Sequence, residues 1–507
     1  MIRTPSKAEL RDVARDLHFE LSEAELEDYE RLVRITLNDY ETIQELPEPT
    51  LPPHEFSYAD RQAGRRPART ENPHNVWITR THVAADESGP LDGKRVGLKD
   101  NISLAGVEMT CGSHLMEGYV PDVDATVVRR VLEAGAEIVG KCNMDTFGFA
   151  ASGDISAFGA VTNPHDEEYL AGGSSSGCAA ALAAEEVDVA LGCDQGGSVR
   201  IPAAWCGVVG LDPTTGLVPY TGIFPLDNSI DHVGPMARTV EDVATTLDVV
   251  AGTDGLDPRQ PPSVPDKDYA AALDEDVSDV TVAVLEDGFE HAESDERVNE
   301  AVRDGIAALA EMGAETESVS VPLHRKAPPM ALLVWGYGGL QIFKQGGQGS
   351  LYDGWYNTGL MQIFSKARRA ASDELSAVVK ATVLAMEYLD REHQNTLYGK
   401  AQNVSIELGR RYDAALAEAD VLAMPTVPCQ PLRKDPDLDR VERVLRSFPP
   451  TKNVCPFVLT NHPSITVPCG TVDGLPVGLL LVAESFDEPT LLRVAHAFQQ
   501  RTAIDQS

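Results

Sequence analysis

Gly192-Cys193-Asp194-Gln195-Gly196-Gly197-Ser198-Val199-Arg200-Ile201-Pro202-Ala203-Ala204 follows directly on the apolar run Val187–Leu191. The run reads as a buried strand, the paired glycines as a tight turn and the following segment as a helix. A serine at such a turn has its own N–H and those of Gln195, Gly196 and Gly197 close to one point. Glycine allows that close backbone approach, and converging N–H groups stabilise a developing oxyanion. A plain strand-to-helix turn accounts equally well for the stretch taken alone.

Upstream, Ala171-Gly172-Gly173-Ser174-Ser175-Ser176-Gly177 leads into the Ala-rich helix Cys178–Glu185 and exposes free backbone N–H groups. It has neither the Gly-Lys-Ser/Thr ending of a phosphate loop nor a GxGxxG pattern, so a catalytic loop and a flexible linker both remain open. Further upstream, Val96-Gly97-Leu98-Lys99-Asp100-Asn101 ends an apolar strand on a lysine. Most lysines lie at the surface. One carried inward by a strand would have a lowered pKa and offer a neutral amine as a base.

Strands are expected at Arg95–Leu98, Ala136–Lys141, Thr281–Leu285, Glu315–Val319, Val421–Met424, Ser464–Val467 and Val477–Val482. Helices are expected at Ala125–Ala134, Val298–Met312 and Glu488–Gln500, with residues 331–420 mostly helical. The alternation defines an α/β fold with a mixed central β-sheet flanked by helices. Residues 7–46 show helical periodicity through Leu10, Val13, Ala14 and Leu17, then Leu26, Tyr29, Leu32, Val33 and Leu37. The Pro-rich stretch 47–93 reads as an irregular connector, placing a boundary near residue 90. A helical extension and connector (1–90) then precedes a catalytic domain (91–507).

The 507 residues carry a formal net charge of −37, which excludes nucleic-acid binding for want of a basic surface. The carboxylates are dispersed and Arg outnumbers Lys, a pattern suited to concentrated salt, where ordinary charges are screened. No stretch has the apolar length of a membrane span, and Met1–Leu10 lacks a secretory core, so a cytoplasmic location is expected. The cysteines, without CxxC pairs, read as buried free thiols. The histidines show no metal spacing, so neither a metal nor a cofactor is expected.

Lys99 before Asp-Asn, the Gly-Gly-Ser-Ser-Ser-Gly loop and Asp-Gln-Gly-Gly-Ser-Val-Arg-Ile-Pro-Ala together resemble the amidase signature pattern. The likeness continues through Cys206–Thr214, Gly216–Pro219, Ile230–Thr239 and His462–Ser464, and so covers nearly everything from about residue 90 onward. Two departures stand in the loop: Ser176 replaces a glycine and Cys178 a serine, a triple serine that some family members share. Within the family the chain looks most like bacterial nitrile-pathway amidases with a helical N-terminal extension, which carry the Gln of Asp-Gln-Gly-Gly-Ser and a Pro-Tyr-Thr-Gly like residues 219–222.

The resemblance implies Ser198 as nucleophile, Ser174 as a proton relay held by a non-proline cis peptide, and Lys99 as base. It also implies an oxyanion hole of Gln195, Gly196, Gly197 and Ser198. Gly173, Ser175, Asp194 and Arg200 would support these groups. The implied activity is hydrolysis of a small aliphatic or aromatic carboxamide to the acid and ammonia through an acyl-enzyme. The expected assembly is a homodimer formed by the N-terminal helices. One rival is the glutaminase (A) subunit of a tRNA-dependent amidotransferase. That subunit needs charged groups to grip free glutamine and usually reads Ser-Arg-Tyr-Gly where this chain reads Val218-Pro219-Tyr220-Thr221-Gly222. Another is a nitrilase-type cysteine hydrolase using Cys206 or Cys193. Trp335, Tyr337, Tyr352, Trp355 and Phe147 are aromatic candidates for an acyl pocket.

Overall fold

The computed structural model describes residues 2–48, 60–85, 88–349 and 353–505. Two compact units divide between Phe56 and Ser57. In the first, α1 (Lys7–Asp16) and α2 (Glu23–Glu45) form the expected hairpin. Each opens on a capping box, Ser6 with Glu9 and Ser22 with Glu25, which satisfies backbone N–H groups that a helix start leaves free. Ala14 and Leu26 are buried, whereas Val13, Leu17, Phe19, Tyr29, Leu32 and Ile35 are exposed.

The second unit is built on strands β1 (Asp60–Arg61), β2 (Trp77–Ala84), β3 (Arg95–Lys99), β4 (Glu137–Cys142), β5 (Thr162–Asn163), β6 (Asp166–Leu170) and β7 (Val189–Asp194). These are followed by β8 (Val209–Asp212), β9 (His232–Ala237), β10 (Thr281–Leu285), β11 (Glu315–Val319), β12 (Val421–Pro425), β13 (Ser464–Val472) and β14 (Leu475–Val482). β5 pairs with β6, and the other twelve form one mixed sheet in the order β1-β2-β4-β3-β7-β9-β8-β13-β14-β12-β10-β11. β3 runs parallel to both β4 and β7, and β10 parallel to β11 and β12. Among the helices, α3 (Thr126–Glu133) packs against the helix Val240–Val250, and α4 (Ser176–Ala183) and α5 (Arg200–Cys206) pack on the sheet. The expected helical segment resolves into Ala327–Lys344, Thr358–Ala371, Ala377–His393 and Thr396–Leu416. Among the described residues, no helix is long and apolar enough to cross a membrane.

Three differences from the sequence reading share a cause. β2 lies inside the stretch expected to be an irregular connector, and it pairs antiparallel with β4, so the boundary falls at Phe56/Ser57 rather than near residue 90. β8 and β9 also join the sheet, although Gly and Pro interrupt β9. In each case long-range pairing overrides local signals. Gly234 shows why a glycine is needed there: a Cβ would fall 1.9 Å from the Leu211 carbonyl oxygen on β8. Gly234→Ala is therefore expected to lower unfolding free energy by about 2–3 kcal/mol through forced backbone displacement, read as a lower denaturant midpoint.

Candidate active site

β3 ends at Lys99 and its parallel neighbour β7 ends at Asp194, so the two carboxyl ends open at one edge of the sheet. Crevices outside such strand ends are where ligands bind in open α/β sheets. Lys99 is fully buried, and its Nζ donates to Ser174 Oγ and to the Cys193 carbonyl, each at 2.8 Å. Burial pushes the Lys99 amine below the usual lysine range, against a weaker opposing pull from Cys193, Cys178, Asp194 and Asp145.

Ser174 sits at the end of its glycine loop, and the Gly173–Ser174 peptide is cis. A Cβ on Gly173 would fall 2.0 Å from Asp145 Oδ2, so only glycine fits. Asp145 braces the turn: its N–H donates to the Ser174 carbonyl at 3.2 Å, and its carboxylate accepts from Gly153 N–H (2.9 Å) and Ile155 N–H (2.8 Å). Burial, helped by Asp154, raises the Asp145 carboxyl to about 7, while the two N–H donors and Lys99 oppose the rise. Ser175 ties the two loops together, its N–H donating to the Ser198 carbonyl at 3.1 Å and its Oγ to the Cys193 carbonyl at 3.2 Å.

Ser198 lies between β7 and α5 and keeps 7% exposure where Ser174 and Lys99 keep none, so it is the most accessible of the three. The Asp194 carboxylate accepts from Gly196 N–H (3.0 Å), Gly197 N–H (2.5 Å) and Val199 N–H (2.9 Å). It also accepts from Arg200 Nε (3.0 Å) and Nη2 (2.9 Å). Burial alone would raise the Asp194 carboxyl, but the Arg200 charge and these donors outweigh it and hold the group far below the carboxylate range. This corrects the expectation that four backbone amides face the oxyanion. Those of Gly196 and Gly197 are turned onto Asp194, and among the described residues those of Gln195 and Ser198 have no hydrogen-bond partner. Arg200 extends the brace to the Val454 carbonyl (3.1 Å), Ser464 Oγ (2.8 Å) and Asp212 (3.1 Å).

The cleft beside Ser198 has about 420 Å³ of empty space including its open mouth. Its walls are Phe149, Ala331, Leu332, Trp335, Phe448 and Cys455, with Ser447, Thr451 and Gln195 as polar groups and, among the described residues, no charged side chain. Of the four aromatic candidates among the described residues, only Trp335 lines it, its ring 4.8 Å from that of Phe149. Phe147 packs behind that wall with Phe224, Phe343 and Phe364, in the same cluster as Phe149, and does not line the cleft. Tyr337 and Trp355 border other cavities, and Tyr352 lies outside the described residues. Phe149 and Phe448 were missed; the signal for Phe149 was its place beside Gly148, in the apolar Phe-Gly-Phe-Ala run after Asp145. Both thiols of the cysteine-hydrolase rival are buried and thereby raised, Cys193 to about 11 and Cys206 further, which leaves neither as a thiolate nucleophile.

A mixed sheet that brings a buried lysine and two glycine-loop serines to one edge is the framework of an amide-bond hydrolase. The chain belongs to the amidase signature family: the Amidase family model matches residues 78–492. It is 38% identical to an enantioselective amidase of Rhodococcus rhodochrous, over 97% of this chain and 95% of that one. It is 41% identical to the A subunit of the glutamyl-tRNA(Gln) amidotransferase of Natronomonas pharaonis, over 84% of this chain and 99% of that one. Among solved structures, the native peptide amidase of Stenotrophomonas maltophilia superposes with a TM-score of 0.68 at 32% identity, over 82% of this chain and 84% of that one.

Replacing Arg200 by Leu leaves Asp194 and Asp212 buried without their guanidinium. The expected loss is about 3–5 kcal/mol of unfolding free energy, checked by denaturant titration.

Proposed function

We propose that the protein is a standalone amidase that converts a small aliphatic or aromatic carboxamide and water to the carboxylic acid and ammonia. The observation that carries this reading is the cleft beside Ser198, walled by Phe149, Trp335 and Phe448 and, among the described residues, free of charged side chains. An uncharged acyl group fits such walls, whereas a buried unpaired charge costs several kcal/mol.

In this reading the neutral Lys99 amine takes the proton of Ser174 Oγ as Ser174 takes that of Ser198. Ser198 Oγ attacks the amide carbon, and the developing oxyanion is met by the amides of Gln195 and Ser198. Ser174 then passes a proton to the leaving nitrogen, the C–N bond breaks, and ammonia departs from an ester on Ser198. Water, deprotonated along the same chain, cleaves the ester. Asp194 and Arg200 hold the nucleophile loop, and Gly173 and Ser175 hold the relay loop. No step calls for a cofactor.

The likeness to the Natronomonas pharaonis amidotransferase chain supports a second reading, a glutaminase working with partner chains. Free glutamine brings a carboxylate and an ammonium group, for which this cleft offers no counter-charge. The chain also has length beyond its match to that relative, length that its match to the amidase includes.

Purified protein in concentrated KCl is expected to release ammonia from benzamide and propionamide but not from glutamine, and Ser198→Ala and Lys99→Ala should each abolish release. Ammonia from glutamine alone would establish the second reading. The rate constant kcat/KM should rise with pH as Lys99 loses its proton and then level off. Lys99 also binds fewer protons folded than unfolded between its lowered value and its ordinary 10.5, so its effect on stability becomes more favourable as pH rises through that window. We propose a salt-rich cytoplasm and a homodimer paired through α1, α2 and the turn between them, whose exposed Val13, Leu17, Phe19 and Leu32 want cover. Activity and melting temperature should fall in dilute buffer, and light scattering in concentrated KCl should give twice the chain mass; a monomer mass removes the dimer.

A further inference from the structure

Gln195 contributes a second group besides its backbone amide. Its side chain is buried at the cleft wall, and its Nε2 donates to Tyr220 Oη at 2.8 Å. Tyr220 Oη in turn donates to the Phe224 carbonyl at 3.4 Å, so it meets Gln195 as an acceptor and fixes which end of the carboxamide carries the oxygen. The Tyr220 ring is itself clamped by the Arg259 guanidinium, 4.6 Å over its face, and Arg259 is held by both Asp257 oxygens. Gln195 therefore cannot turn freely, and its Oε1 is left over. That oxygen faces Gly148, where a Cβ would stand 3.5 Å from Gln195 Oε1 and 3.6 Å from Ser174 Oγ. One small space at the cleft wall thus borders a hydrogen-bond acceptor and the relay hydroxyl together.

We infer that Gln195 Oε1 accepts a hydrogen bond from the leaving-group N–H of the substrate, with Tyr220 as its positioning residue, and that this contact selects primary carboxamides over the corresponding esters. The inference rests on the amidase reading above. A carboxamide nitrogen in that space takes its proton from Ser174 and still has an N–H to give to Gln195. An ester oxygen has none, and would set its lone pairs against those of Oε1. A site built to receive an N–H discriminates strongly against an isostere that lacks it, because the buried acceptor is left unpaired.

The test compares kcat/KM for benzamide and methyl benzoate in wild type, Gln195→Met and Tyr220→Phe. Methionine keeps the length of the side chain and removes the acceptor; phenylalanine keeps the ring and removes the anchor. The amide-to-ester ratio is expected to fall by about tenfold or more in Gln195→Met and by a smaller factor in Tyr220→Phe. A general loss of folding or of the oxyanion loop would lower both activities and leave the ratio unmoved. A ratio within twofold of wild type in the variants that turn over overturns the inference. If wild type acts on glutamine and not on benzamide, it is the substrate reading that fails, and the same ratio is then read with glutamine and the γ-methyl ester of glutamate.

Discussion

A buried lysine amine that, among the described residues, has no carboxylate within hydrogen-bond reach is the constraint on which the proposed mechanism depends. Lys99 and Lys141 make the point by contrast, for both are fully buried and they stand on adjacent parallel strands. Lys141 has the Asp100 carboxylate 3.2 Å away. Lys99 has only a hydroxyl and a carbonyl. An ammonium deprived of water without a counter-charge in contact is several kcal/mol worse off than the free amine, so the same burial that leaves Lys141 an ion-pair partner favours the neutral amine at Lys99. The strand packing that enforces this is tight: a Cβ on Gly97 would meet Cys142 Sγ at 2.9 Å.

Full charges near the site serve as fasteners, set behind the reacting groups. Asp194 gathers two loop amides, Val199 N–H and Arg200, and Arg200 reaches on to Ser464 at the start of β13, so the nucleophile turn is fixed to strands distant in the chain. Such a pair contributes little net stability over apolar packing but fixes one arrangement, because removing either partner strands the other. In the proposed mechanism the neutral relay then works in front of a rigid backing, and its hydroxyls need move only protons.

The parts of this design legible in the sequence are those written locally. β3, β4, β7, β10 and β12 lie inside the sheet and read as apolar runs. Lys99, Ser174 and Ser198 stand out because glycines and strand ends announce them within a few residues. β2 hides among prolines, and β9 carries Gly234 and Pro235, whose fitness is decided by Leu211 on another strand. The commitment of two amides to Asp194 left one trace, an aspartate two residues before a glycine, the signature of a side-chain-to-backbone turn. The cleft walls left least. Phe149, Trp335 and Phe448 are nearly two hundred and more than one hundred residues apart, and nothing in their neighbourhoods marks one aromatic as lining and another, such as Phe147, as core.

The same division explains why overall identity does not separate the two candidate activities. Lys99 and the two serine loops are carried by β3, α4, β7 and α5, a scaffold equally serviceable to a glutaminase that frees ammonia for partner chains and to an enzyme that acts on simple amides. In the proposed reading, discrimination is made across the cleft, by Ala331, Leu332 and Trp335 on the helix Ala327–Lys344 and by Ser447, Phe448, Thr451 and Cys455. A relative that is 41% identical over 84% of this chain is informative about the scaffold and weakly so about that wall. Charge at the wall is the more direct evidence. Glutamine's carboxylate would have to lie among aromatic faces and small hydroxyls, and the unpaired ion would forfeit several kcal/mol of hydration. A benzoyl or short alkyl group placed there loses no hydration of that kind and gains by burial about 25 cal/mol for each Å² of apolar surface.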